Sequence, residues 1–178
     1  MIPKKVALVL FLLLVNSLYA LQVKYEVHYG FFPAGVIEID FQNEQVVVKG
    51  KSSGILGWFY KYRLYMVFNL KNPEKSFLIE DENGKHRELN YNKILHKKAW
   101  LPLVIKILLS GVDLNKLKTI KVANYRIILQ KREGNNYTFK VEGSKRVRKI
   151  QLLEWNKGFF PKKIVIETSG GTLVLEKT

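Results

Sequence analysis

The amino-acid sequence predicts a mainly β protein: a strongly curved antiparallel meander sheet or open β-barrel, with one short helix packed on its concave side. Three observations carry this reading. Apolar and polar residues alternate with period two through most of the chain, the pattern of strands with one buried and one wet face. Turn-forming residues interrupt the alternation at short, even intervals. A single stretch, residues 100–111, follows helical spacing instead.

Val23, Tyr25, Val27 and Tyr29 alternate with Lys24, Glu26 and His28 in the first strand. Ile37, Ile39 and Phe41 alternate with Glu38 and Asp40 in the second, and residues 45–51 make a third. Residues 58–70 read as one long aromatic strand with Trp58, Phe59, Tyr60, Tyr62, Leu64, Tyr65, Met66 and Phe68. Aromatic side chains suit a pleated, half-buried surface. Residues 76–82 and 85–91 flank Asn83-Gly84, which suits a type I′ hairpin because both turn positions take positive φ. Further strands fall at 117–123, 125–132, 137–142, 145–155, 162–168 and 172–177. Gly134-Asn135-Asn136, Gly143-Ser144, Asn156-Lys157-Gly158 and Gly170-Gly171 separate them. Within residues 100–111, Leu101, Val104, Ile105, Leu108 and Leu109 share one helical face, Pro102 suits a first turn and Gly111 suits the residue after the end. The alternative is a buried strand pair, since Val and Ile favour strands. One helix covers only part of one sheet face, so the sheet must curl on itself or expose apolar surface, and a curled sheet leaves an apolar concavity.

Residues 1–20 read as a secretory signal peptide. Lys4 and Lys5 open it, residues 6–15 are uncharged and apolar, and Asn16-Ser17 leads to Leu18-Tyr19-Ala20. The apolar run is shorter than the roughly 20 residues of a membrane span. Cleavage is expected after Ala20, leaving residues 21–178 as a single periplasmic domain; an uncleaved anchor is the alternative. The chain has no cysteine, which excludes thiol redox chemistry and thiolate metal sites.

Without Lys4 and Lys5 the chain holds 28 basic and 15 acidic residues, a net charge of +13. The excess is concentrated between Lys116 and Lys149, where only Glu133 and Glu142 are acidic. Export argues against nucleic acid as the partner. It leaves anionic membrane surfaces and envelope polymers, or a lysine-rich surface that only solvates the protein. Arg126, Lys131, Arg146 and Arg148 are the candidate anionic-surface residues. A membrane barrel is disfavoured, because the basic strands carry Lys and Arg at alternate positions without an aromatic girdle.

No catalytic residue, metal site or cofactor is predicted. His28, His86 and His96 share no short ligand spacing. Glu80-Asp81-Glu82 reads as a solvated hairpin arm opposing Lys85 and Arg87. Glu26, Glu38 and Asp40 could converge as hydrolase carboxylates, but cross-strand charge pairing accounts for them more simply. The richest candidate ligand surface is aromatic and apolar: Trp58, Tyr60, Tyr62, Trp100, Leu101 and Ile105.

The stretch Tyr25-Glu26-Val27-His28-Tyr29-Gly30-Phe31-Phe32-Pro33-Ala34-Gly35 resembles the opening motif of a bacterial exported family known as a domain of unknown function, DUF3108. Ser53-Gly54 before Phe59-Tyr60 resembles a second piece of that family. Phe160-Pro161-Lys162-Lys163-Ile164, with Gly171 and Leu173-Val174-Leu175, resembles its closing strands. Lys97-Lys98-Ala99-Trp100 stands where the family usually opens its helix with aspartate. The resemblance implies an envelope protein with a curved antiparallel sheet and implies no activity. Gly30, Gly35 and Pro33 are expected to serve a tight hairpin.

The expected function is a non-catalytic binding or carrier module for a lipid-like or other apolar ligand at an anionic membrane surface. The alternative is an envelope structural or assembly factor that binds protein or cell-wall polymer. A carboxylate-dependent hydrolase is the remaining reading.

Overall fold

The computed structural model describes residues 21–110, 118–156 and 160–178. The expected signal peptide, the helix stop at Gly111 and part of the turn at 156–158 lie outside the described residues.

Among the described residues twelve antiparallel strands form one sheet. The first six are β1 (Leu21–Tyr29), β2 (Phe32–Phe41), β3 (Gln45–Ser52), β4 (Tyr62–Asn69), β5 (Phe77–Glu82) and β6 (Lys85–Asn90). The second six are β7 (Thr119–Val122), β8 (Tyr125–Glu133), β9 (Asn136–Glu142), β10 (Val147–Leu153), β11 (Lys163–Thr168) and β12 (Gly171–Lys177). Their spatial order is β6-β5-β4-β3-β2-β1-β12-β11-β10-β9-β8-β7. Two six-stranded meanders therefore meet at the β1–β12 pair, where Val27 lies opposite Leu175. The sheet is mainly β and curved, as the alternation predicts. It is open: β6 and β7 are its two edges.

Among the described residues three α-helices interrupt the strands: α1 (Gly54–Phe59), α2 (Tyr91–Lys97) and α3 (Trp100–Ser110). The expected helix is α3, which buries Leu101, Leu103, Val104, Ile105 and Ile107. It has a partner that the alternation hid. The second arm of the hairpin ends at Asn90, not at Tyr91, because Asn90 caps a new helix. Its side chain accepts a hydrogen bond from the Lys93 backbone N–H at 3.1 Å, and Ile94 and Leu95 turn inward. Together α2 and α3 form a hairpin that carries the chain from edge β6 back to edge β7 across the concave face. The sheet is thus filled by two helices where one was expected.

The long aromatic strand is also shorter than expected. Trp58 and Phe59 belong to α1, and β4 starts at Tyr62. Gly54, at φ +65°, turns the chain out of β3, and the next residues close a helical turn before the strand begins.

Met66, Phe68, Leu78, Phe139, Ile150 and Ile164 face the helices as part of one core cluster. The buried Tyr25 hydroxyl is satisfied, donating to the Pro161 carbonyl at 3.0 Å. On the outer face, charges pair across strands: Lys24–Glu38 at 3.7 Å, Arg126–Glu142 at 2.7 Å, Lys149–Glu167 at 2.6 Å and Lys163–Glu176 at 2.7 Å. Such exposed pairs add little stability each; they spread the positive charge over the surface.

The Asn83-Gly84 turn has φ +49° and +82°, as a type I′ turn requires. The opening motif works differently from expectation. Gly30 makes the β1–β2 turn at φ +60°, but Gly35 lies inside β2. A Cβ there would stand 2.2 Å from the Lys51 carbonyl oxygen, so Gly35 permits the close approach of β3 and is no part of the turn. Pro33 sits opposite His28, beside a register shift in β1.

Candidate functional site: an apolar cleft at the sheet mouth

Six chain connections gather at one end of the sheet. Asn83 donates its backbone N–H to the Lys61 carbonyl at 2.8 Å, Gly30 to Thr172 at 3.0 Å and Ser169 to Arg146 at 2.8 Å. Gly143 packs on the Asn124 carbonyl. The connections at residues 30–31, 53–61, 83–84, 123–124, 143–146 and 169–170 therefore form one rim, the mouth. Leu21 and Thr178 lie at the other end.

The helical hairpin does not fill the sheet to this rim. Ten-residue β2 extends about 33 Å at 3.3 Å per residue, whereas eleven-residue α3 is about 16 Å long at 1.5 Å per residue. Lys106 reaches over the Phe68 ring deep in the sheet, and Trp100 opens α3 near the mouth. Above the helix turn remains an open cleft of about 550 Å³. Val27, Ile37, Leu64 and Leu173 make apolar walls, Leu56 of α1 closes one side, and Ala34, Gly35 and Gly50 leave the space empty by being small.

One polar cluster stands at the wall. Glu80 faces inward from β5, with its side chain only 3% exposed. Lys98 Nζ lies 3.0 Å from its Oε2 and donates to the Tyr62 hydroxyl at 3.1 Å. Tyr62 in turn donates to Glu80 at 3.0 Å, and Arg87 approaches Oε1 at 3.3 Å. Burial would raise the Glu80 carboxyl, but the hydrogen bond and charge of Lys98, with Tyr62 and Arg87, outweigh it and hold the group below the usual carboxylate range. Burial, followed by the neighbouring Glu80 charge, pushes the Tyr62 phenol well up. Tyr60 stacks on Tyr62 with ring centroids 6.1 Å apart and donates to Glu82 at 2.5 Å. Burial and that hydrogen bond push its phenol up to about 12. Both hydroxyls are engaged by carboxylates, so the two tyrosines offer ring surface. An ammonium has three protons. Two of those on Lys98 are committed, which leaves one for an acceptor in the cleft.

Of the six candidate ligand residues, Tyr60, Tyr62 and Trp100 come together in this cleft. Leu101 and Ile105 are core residues beneath it, and Trp58 points away, 84% exposed. The sequence does not mark Lys98, Gly50, Leu56 or Leu173 as ligand residues. Its acidic run reads as solvated, Glu80 included. That reading suits Asp81 and Glu82, which pair with His86 and Arg87. Glu80 follows the inward register of Leu78, and that register was the available signal.

Among the anionic-surface candidates, Arg126 is the second residue of β8, near the mouth, and Arg146 lies in a mouth connection. Arg148 is exposed on β10 just beyond it, whereas Lys131 lies toward the opposite end, 2.8 Å from Glu133. Glu26, Glu38 and Asp40 occupy the outer face of β1 and β2, away from the cleft: Glu38 pairs with Lys24, and Asp40 accepts from Gln42 at 2.9 Å. Among the described residues no group of three or more His, Asp or Glu could hold a metal ion, and no helix is long and apolar enough to cross a membrane.

No family model matches the chain. A protein of Aquifex aeolicus (strain VF5), described as an uncharacterized protein, is 33% identical over 159 residues, which cover 89% of this chain and 86% of the Aquifex protein. Similarity at that level across nearly the whole of both chains shows common descent, and this chain belongs to one family with the Aquifex protein.

Proposed function

We propose that this protein is an exported, non-catalytic binding or carrier module for a lipid-like or other apolar ligand, working at an anionic membrane surface of the periplasm. The observation that carries the reading is the 550 Å³ cleft, whose volume falls among those of small-molecule sites. Its walls are apolar, and one lysine supplies an uncommitted proton for a polar head. The leader at residues 1–20 and the resemblance to DUF3108 support the envelope address.

Titration with a dansyl-labelled fatty acid tests the reading. Saturable one-to-one binding, displaced by unlabelled oleate, is the expected result. Ala34→Trp places an indole in the cleft and should weaken binding at least about tenfold with an unchanged circular dichroism spectrum. Absence of saturable binding, or equal binding by the variant, would remove the cleft from the function.

A further inference from the structure

The mouth carries a second feature that ligand binding does not use. Phe31 is 100% exposed, Trp58 84%, Phe59 81%, Ile55 74% and Phe32 68%. None of the five lines the cleft. Phe31 and Phe32 stand at the β1–β2 hairpin, and the other three stand on α1, which packs beside β2. Among the described residues, the exposed large apolar side chains away from the mouth are Leu21, Tyr65 and Leu109. A cluster of this kind marks an interaction surface.

Charge identifies the partner. The six mouth connections contain Lys61, Lys145 and Arg146 and no acidic residue. At the other end, the connections mix signs: Glu44 pairs with Lys71, and Glu154 with Lys162. Glu82 and Glu142 flank these connections but are paired with Arg87 and Arg126, and aromatic side chains on protruding tips beside an excess of cations match the interfacial zone of an anionic bilayer. There rings sit at the headgroup level and Lys and Arg meet phosphate.

We propose that the mouth is a bilayer-docking surface: Phe31, Phe32, Ile55, Trp58 and Phe59 enter the interfacial zone of an anionic phospholipid leaflet, Lys61, Lys145 and Arg146 bind its headgroups, and the cleft opens directly onto the lipid. The inference rests on the apolar-ligand reading for its purpose, since it gives a chain leaving the leaflet a path that avoids water. Its geometry stands apart from that reading.

Tryptophan emission with phosphatidylcholine–phosphatidylglycerol vesicles tests it on the full chain. Emission should shift to the blue and be quenched by bromine-labelled lipid. Trp58→Phe should keep vesicle binding and lose most of the quenching. Phe31→Ser with Phe59→Ser should weaken binding at least about tenfold, while dansyl-fatty-acid binding stays unchanged, because neither residue touches the cleft. Neutralising Lys61, Lys145 or Arg146 should cost about fivefold each on anionic vesicles. Binding through residues 1–20 would leave Trp58 unquenched and overturn the proposal, because Leu21 lies at the end opposite the mouth. Self-association abolished by Phe31→Ser, without vesicle binding, would assign the rim to a second copy and overturn it equally. If the docking fails while the fatty acid still binds, only the docking falls; the reverse outcome leaves a membrane-binding protein without a carrier cleft.

Discussion

Glu80 is the residue on which the cleft wall turns. A carboxylate this deeply buried is tolerated because Lys98, Tyr62 and Arg87 each give it a hydrogen bond or a charge. Its folded-state pKa is lowered, so its contribution to stability is present above the unfolded carboxylate pKa and is lost as pH falls through the folded value. Lys98→Gln removes the largest opposing influence and leaves burial, which raises the group. We expect Lys98→Gln to cost about 1.5–3 kcal/mol at neutral pH and to move the acid unfolding midpoint to higher pH. Urea unfolding at a series of pH values checks both, and an unmoved acid midpoint would show that Arg87 and Tyr62 suffice. The acidic run is visible in the sequence, and the register of Leu78 points Glu80 inward, but the partner that makes this burial tolerable is not visible. That partner is Lys98, eighteen residues away in sequence and on a different element.

At the scale of the element, local chemistry was often readable. Asn83-Gly84 turned as its φ preferences require, and α3 formed where the helical spacing predicts, although Leu109 of the expected face is exposed and Leu103 and Ile107 off that face are buried. Where reading failed, propensity competed with a neighbour. Trp58 and Phe59 have strand-forming side chains, yet Gly54 redirects the backbone and α1 forms. Asn90 ends a strand because its side chain caps the next helix. Gly35 carried the wrong role because the constraint comes from Lys51 on β3 and not from its own turn. That difference is measurable. Gly84→Ala meets no atom within 4 Å and bears only the strain of φ +82°, at about 1 kcal/mol. Gly35→Ala must push β3 away and should cost about 1–3 kcal/mol, with loss of fatty-acid binding, since Gly35 also lines the cleft. Equal thermal stability of the two variants would show that β3 yields freely.

For the whole molecule, the decisive contact is β1 with β12. It joins the first and last strands at the middle of the sheet and unites two meanders that are otherwise linked by the helical hairpin. Removing residues 171–178 withdraws Leu175 from the core and exposes the edges of β1 and β11 at once. We expect this truncation to abolish cooperative unfolding and to promote aggregation, read by calorimetry and light scattering. Retention of a sharp transition would mean that the N-terminal half folds alone.

Alternation, turn residues and one amphipathic run settled that this chain forms an antiparallel β protein with a helix inside, because those patterns act over a few neighbouring residues. Charge counts disclosed a basic molecule but not where the charge meets apolar side chains. Long-range packing settled the rest: the second inner helix, the pairing of β1 with β12, and the shortfall between helix and strand length that leaves the mouth unfilled. Each of these depends on residues far apart in sequence meeting in space, and no local spacing encodes such a meeting.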